Sequence, residues 1–185
     1  MNVDSFSKNQ QTKLLTIARQ SIEHYLANKK KLAITNLDEA LNIKRGCFVS
    51  LKKDNKLRGC VGQIAPGGPL TECIRDMAIH AAVLDKRFDP VEINELSDIN
   101  IEISVLTPLV SFRDPKDFSL EEDGVMVRGF GRHGLLLPQV AASTNWTQQQ
   151  FLEFLCKEKA GLDKSAYLEP TVELFKFRTA TFNES

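Results

Sequence analysis

"GCFVSLKKDNKLRGCVGQI", Gly46 to Ile64, is the stretch whose reading decides the fold. Cys47, Val49 and Leu51 alternate along one face, "KDNK" supplies turn residues, and the chain returns as a second strand, so the stretch is expected to be a β-hairpin. Simple alternation on the returning strand places Leu57, Gly59 and Val61 on one face and Arg58, Cys60 and Gly62 on the other. A strand that leaves two side-chain positions to glycine admits close approach by a neighbouring segment or a ligand. Gly59 is also compatible with a bulge that re-aims its neighbours.

Outward from the hairpin, strands and helices intermix. On the N-terminal side, Leu14, Leu15, Ile17, Ala18, Ile22, Tyr25 and Leu26 recur at helical spacing between Gln11 and about Lys30, and Lys29, Lys30 and Lys31 suit a helix C-terminus. On the C-terminal side, "APGGP" ends the strand and Pro69 suits the first turn of a helix with a buried stripe of Leu70, Cys73, Ile74, Met77, Ala78 and Ala81. "DKRFDPV" is a loop, and "INIEISVL" alternates cleanly, with Ile99, Ile101, Ile103 and Val105 opposite Asn100, Glu102 and Ser104. "SFRDPKDFSLEEDG" is expected as a surface connection, "GVMVRGFGRHGLLLPQVA" as two short strands around a glycine-rich turn, "WTQQQFLEFLCKEKAGL" as a helix capped by Gly161, and "TVELFKFRTATF" as one last strand. Hairpin then helix thus occurs twice, which points to a duplicated α+β unit.

The bulk composition excludes several function classes. A chain of 185 residues, 42% hydrophobic, supports one core of ordinary size or two small lobes, and a single domain is expected. Lys plus Arg and Asp plus Glu balance at 24 each, so no global field draws the chain to nucleic acid. The polar start "MNVDSFSKNQQT" has no apolar leader region, and no window approaches the roughly 18 apolar residues of a membrane span, so a cytoplasmic protein is expected. Cys47, Cys60, Cys73 and Cys156 form no CxxC pair and read as free thiols; with three scattered histidines they give no ligand spacing, so neither metal nor cofactor is expected.

"LRGCVG", "DKRFDPV", "ISVLTPL", "GRHGLLLPQVA" with Trp146, and "FLEFLCKEKAGL" stand in the order and spacing of the AMMECR family, for which "LRGC[IV]G" is a hallmark. The chain resembles that family over roughly Leu14 to Phe182, with Tyr167 standing where the family's "AGL…W" stretch has tryptophan. The resemblance implies an α+β fold of two repeats, a smaller lobe and a larger one, with mainly antiparallel sheet packed by helices. It also implies association with Memo-type and radical-SAM proteins, and no firm activity.

The motif residues carry chemistry of their own. An arginine near Cys60 would lower its thiol pKa and raise the reactive thiolate fraction; the bland account makes Cys60 a small buried hydrophobe and pairs Arg58 with a carboxylate such as Glu102. Glu102 and Ser104 read as the solvated face of a one-sided sheet or, with Arg58 and Cys60, as the walls of a polar cleft suited to acid/base or nucleophilic work. His133, between Gly131 and Gly134 in an expected loop, is the candidate base, against the ordinary reading of an exposed loop histidine. Its "GFGRHG" lacks the spacing and context of a dinucleotide fingerprint. Arg87 and Phe88 offer a guanidinium for a carboxylate or phosphate and a ring to stack on, unless Phe88 plugs the core and Arg87 pairs with Asp85 or Asp89.

The expectation is therefore a cleft around Arg58, Cys60, Glu102, Ser104 and His133 for a small anionic or polar ligand. Cys60 would be nucleophile or general acid, His133 or Glu102 the base, Arg58 and Arg87 the anion holders, and Gly59 and Gly62 the points of close backbone approach. The alternative is an adaptor whose "LRGCVGQI" surface docks a protein partner without chemistry of its own.

Overall fold

The computed structural model describes residues 6–35 and 39–184; the first five residues of the polar start lie outside it. The chain forms two compact units, one running to Leu106 and resumed from Ala180, the other Thr107–Thr179.

In the first unit, α1 spans Lys8–Asn28. It begins earlier than hydrophobic spacing suggests because Ser7 and Gln10 form a reciprocal capping box: the Ser7 N–H donates to Gln10 Oε1 (2.9 Å) and the Gln10 N–H to Ser7 Oγ (3.3 Å). The hairpin follows as β1, Cys47–Lys53, and β2, Lys56–Gln63. Asp54 and Asn55 turn it with φ of 50° and 59°, the left-handed pair whose twist matches that of the flanking strands. Then come α2, Leu70–Val83, and β3, Ile99–Leu106, which pairs antiparallel with β1 from Cys47↔Val105 to Lys53↔Ile99. The helix stripe predicted from spacing is buried at every position, with Pro69 standing at the N-cap. Val49, Leu51, Ile101 and Ile103 meet Leu14, Ile22 and Ile74 in one continuous core.

In the second unit, β4, Val110–Phe112, lies within the segment expected to be a plain connection. It is followed by β5, Gly124–Gly129, and β6, Arg132–Leu136, joined through Phe130 and Gly131 at φ of 53° and 71°. The short helices α3, Pro138–Ala142, and α4, Gln148–Phe154, come next; α4 continues into a π-helical turn, Leu155–Lys159. Instead of one last strand there are two, β7, Glu173–Phe177, and β8, Thr179–Asn183, because Arg178 interrupts the run and the halves join different sheets. Phe112, Phe118, Phe151 and Leu174 centre the second core, where the buried Tyr167 takes its place without a tryptophan.

The sheets run β2-β1-β3-β8 and β4-β7-β5-β6. Each contains the same order, a hairpin whose second strand is the edge and whose first strand pairs with the strand after the helix. The two repeats exchange their fourth strands: β4 directly follows β3 yet sits beside β7, and β8 directly follows β7 yet sits beside β3. The fold is α+β with two duplicated halves, as the twofold recurrence of hairpin and helix predicts.

Candidate functional site at the edge of the first sheet

The site grows from a bulge. Leu51 pairs with Gly59 but Lys52 pairs with Leu57, which leaves Arg58 as the extra residue of β2. Leu57 is consequently 44% exposed on the outer face, not on the core face with Gly59 and Val61 as uninterrupted alternation would have it. Gly59 lets α2 approach, since a Cβ there would overlap the carbonyl oxygen of Ala81. Gly62 lies under the ring of its cross-strand partner Phe48.

Because β2 is an edge strand, the N–H and C=O of Cys60 point away from β1 and need partners. The loop after α2 supplies them through side chains. The Cys60 N–H donates to Asp85 Oδ2 (2.8 Å), and Arg87 Nη2 donates to the Cys60 carbonyl (3.0 Å). Arg87 also holds both Asp85 oxygens, at 2.9 and 2.7 Å, so one ion pair occupies the place of a neighbouring strand's peptide. Arg87 is the main reason that the Asp85 carboxyl lies far below the usual carboxylate range, against the opposing effect of burial; the N–H groups of Cys60 and Arg87 add to it. The Asp85 side chain keeps 7% of its surface exposed and that of Arg87 58%.

Arg58 ties down the far end of the same loop. It donates to Glu95 (3.3 and 2.9 Å), to the Asp89 carbonyl (2.8 Å) and to the Pro90 carbonyl (3.5 Å). Its carboxylate partner is therefore Glu95, whose pKa it lowers, and not Glu102, which pairs with Lys52 at 2.8 Å. Glu102 nevertheless belongs to the neighbourhood, because the register places Cys60, Ser50 and Glu102 in one row across the outer face. The Ser50 hydroxyl donates to Cys60 Sγ at 3.2 Å. Ser104 stands in the next row with Phe48 and Gly62, its hydroxyl 2.9 Å from that of Thr181.

Arg58, Lys86, Arg87, Phe88 and Asp89 line an open depression of about 470 Å³. Phe88 is half-buried and does not plug the core; the Arg87 guanidinium lies 5.5 Å from its ring centre. Among the described residues two groups remain uncommitted here: Lys86 has no hydrogen bond or ion pair, and Arg87 Nη1 has no acceptor. His133 belongs to the second unit, where it is an exposed strand residue on β6 opposite Arg128 and not part of a loop. Among the described residues no three His, Cys, Asp or Glu gather as a metal site, and no helix is long and apolar enough to cross a membrane.

Asp85 was legible as a partner for Arg87, whereas Ser50, Lys86 and Glu95 were not recognised from sequence. Counting outward from the turn at Asp54 and Asn55 sets Ser50 against Gly59; only the bulge moves it to Cys60.

Comparison with known proteins gives a consistent result. Residues 15–182 match the model of the AMMECR1 family. A protein of Methanothermobacter thermautotrophicus is 38% identical, covering 100% of this chain and 99% of its own, and one of Methanocaldococcus jannaschii is 41% identical, covering 90% and 86%. The crystal structure of the uncharacterized protein PH0010 from Pyrococcus horikoshii superposes with a TM-score of 0.86 at 35% identity, covering 94% of this chain and 90% of that one. The chain belongs to the AMMECR1 family.

Proposed function

We propose that this AMMECR1-family chain binds a small anionic or polar molecule in the depression beside Cys60. The observation that carries this reading is the position of Arg87: it donates to the carbonyl of Cys60, lies beside the Phe88 ring, and keeps Nη1 free at the depression's wall. Asp85 and Glu95 offset the charges of Arg87 and Arg58, so recognition rests on directed donors, on Lys86 and on the ring more than on net field. If the bound molecule reacts, Cys60 is the nucleophile, with Ser50 donating to its sulfur and Glu102 one strand further along the row.

Inorganic phosphate is the first probe. It should slow alkylation of Cys60 in the folded protein, and Lys86→Ala, which breaks no hydrogen bond of the fold, should abolish the protection. Unchanged alkylation at millimolar phosphate, in the concentration range of weak small-anion sites, would overturn this reading.

A second reading, an adaptor surface, is favoured by Arg58 and Asp85 tying β2 to the loop after α2, which fixes the shape of that edge. Memo-type and radical-SAM proteins are the partners to test by co-purification. Cys60→Ser would leave such docking intact while removing thiol chemistry.

A further inference from the structure

Two cysteines outside this site face each other in the first core. Cys47 opens β1 and Cys73 lies in the first turn of α2; both are buried, and their sulfurs are 3.2 Å apart. A thiol contact of this kind needs about 1.2 Å of closure to reach the roughly 2.04 Å of a disulfide. The supporting backbone is already tied, since the Leu70 N–H at the start of α2 donates to the Ile43 carbonyl, four residues before Cys47 (2.7 Å).

We propose that Cys47 and Cys73 are an oxidant-sensitive dithiol that closes to a disulfide with hydrogen peroxide. Cys73 is the attacking thiol. It sits at the positive end of α2 with a pKa lowered mainly by the hydrogen bond from Cys47, while Cys47 is held protonated by that bond and by burial. Cys73 ionises, its thiolate attacks one peroxide oxygen, the O–O bond breaks, and the departing hydroxide takes up the proton that Cys73 released and leaves as water. The resulting sulfenic acid is attacked by the Cys47 sulfur: the S–S bond forms, the S–OH bond breaks, and the hydroxide departs with the Cys47 proton as a second water. Two thiols are oxidised and one peroxide is reduced. The crosslink joins β1 to α2 around the whole of β2, so it fastens the scaffold that presents Cys60 without using that residue.

The test is peptide mapping of the folded protein after graded peroxide, without reduction. The expected product is a Cys47–Cys73 crosslinked peptide pair, two hydrogens lighter than the free peptides. It should form equally in Cys60→Ser, be reversed by dithiothreitol, and raise the urea midpoint of the oxidised protein. Free Cys47 and Cys73 after Cys60 has been fully oxidised would overturn the proposal, as would a crosslink that always includes Cys60. Mapping the unmutated chain keeps the result independent of whether Cys73→Ala folds.

Discussion

The two sheets end in edge strands built to one plan and finished differently. On β2, Gly59 admits α2 against the strand; on β6, Gly134 does the same for the end of the π-helical turn, where a Cβ would come within 2.6 Å of the Ala160 nitrogen. An arginine near each glycine ties the chain beyond the helix back to the strand, Arg58 to the Asp89 carbonyl and Arg132 to the Gly161 carbonyl. The difference lies in the charges. The first edge adds Asp85 and Arg87, whose bonds converge on a cysteine, and Glu95, which holds Arg58, whereas on the second edge Arg132 meets a carbonyl and His133 faces outward without a hydrogen-bond or ion-pair partner among the described residues. Duplication supplies the architecture, and the added ion pairs make one copy a candidate site.

Removing the shared feature should have the largest effect. Gly59→Ala and Gly134→Ala each force a methyl into backbone and should cost about 3 kcal/mol in urea unfolding. Gly62→Ala meets the Phe48 ring first, down to its Cγ, so the whole ring must turn, and should cost about 2 kcal/mol. A harmless Gly134→Ala would break the parallel between the edges.

The next largest effect should come from the ion pair that distinguishes them. Asp85→Asn removes a nearly buried charge-assisted acceptor and should cost about 2 kcal/mol, with faster amide exchange at Cys60. The pH dependence follows from the direction of the shift. Folding depresses the Asp85 pKa, so its contribution is fully present above the unfolded value of about 3.9 and is lost as pH falls toward the folded one. Asp85→Asn should therefore flatten the acid limb of the stability curve, leaving the smaller dependence from Glu95, Asp76, Asp163 and Glu173, which are shifted the same way. An unchanged acid limb would deny the ion pair its role.

Arg58→Lys keeps the charge but loses the two-pronged grip on Glu95, and should cost about 1 kcal/mol by urea unfolding. The smallest effect should be that of His133→Ala, within about 0.5 kcal/mol of the parent and without change in Cys60 alkylation. A changed alkylation rate in that variant would sharpen the comparison in the other direction, by bringing the second edge into the chemistry of the first.

Sequence by itself determined the elements whose cause is local. The period-two run of β3 and the helical stripe of α2 were legible because burial on one face imposes them residue by residue, and the turn at Asp54 and Asn55 because those residue types accept positive φ. "TVELFKFRTATF" was legible as extended chain but not as two strands, since each half takes its partner from a different sheet. The site followed the same division. That Arg58, Cys60, Arg87 and Phe88 deserved notice could be read from two short motifs. That "LRGC" and "DKRF" form one hydrogen-bonded unit could not, because their union depends on the bulge at Arg58, on β2 being an edge, and on the length of α2, which returns the loop to that edge. Pairing across a sheet is a long-range choice, and only the tertiary structure decides which backbone groups are left for side chains to satisfy.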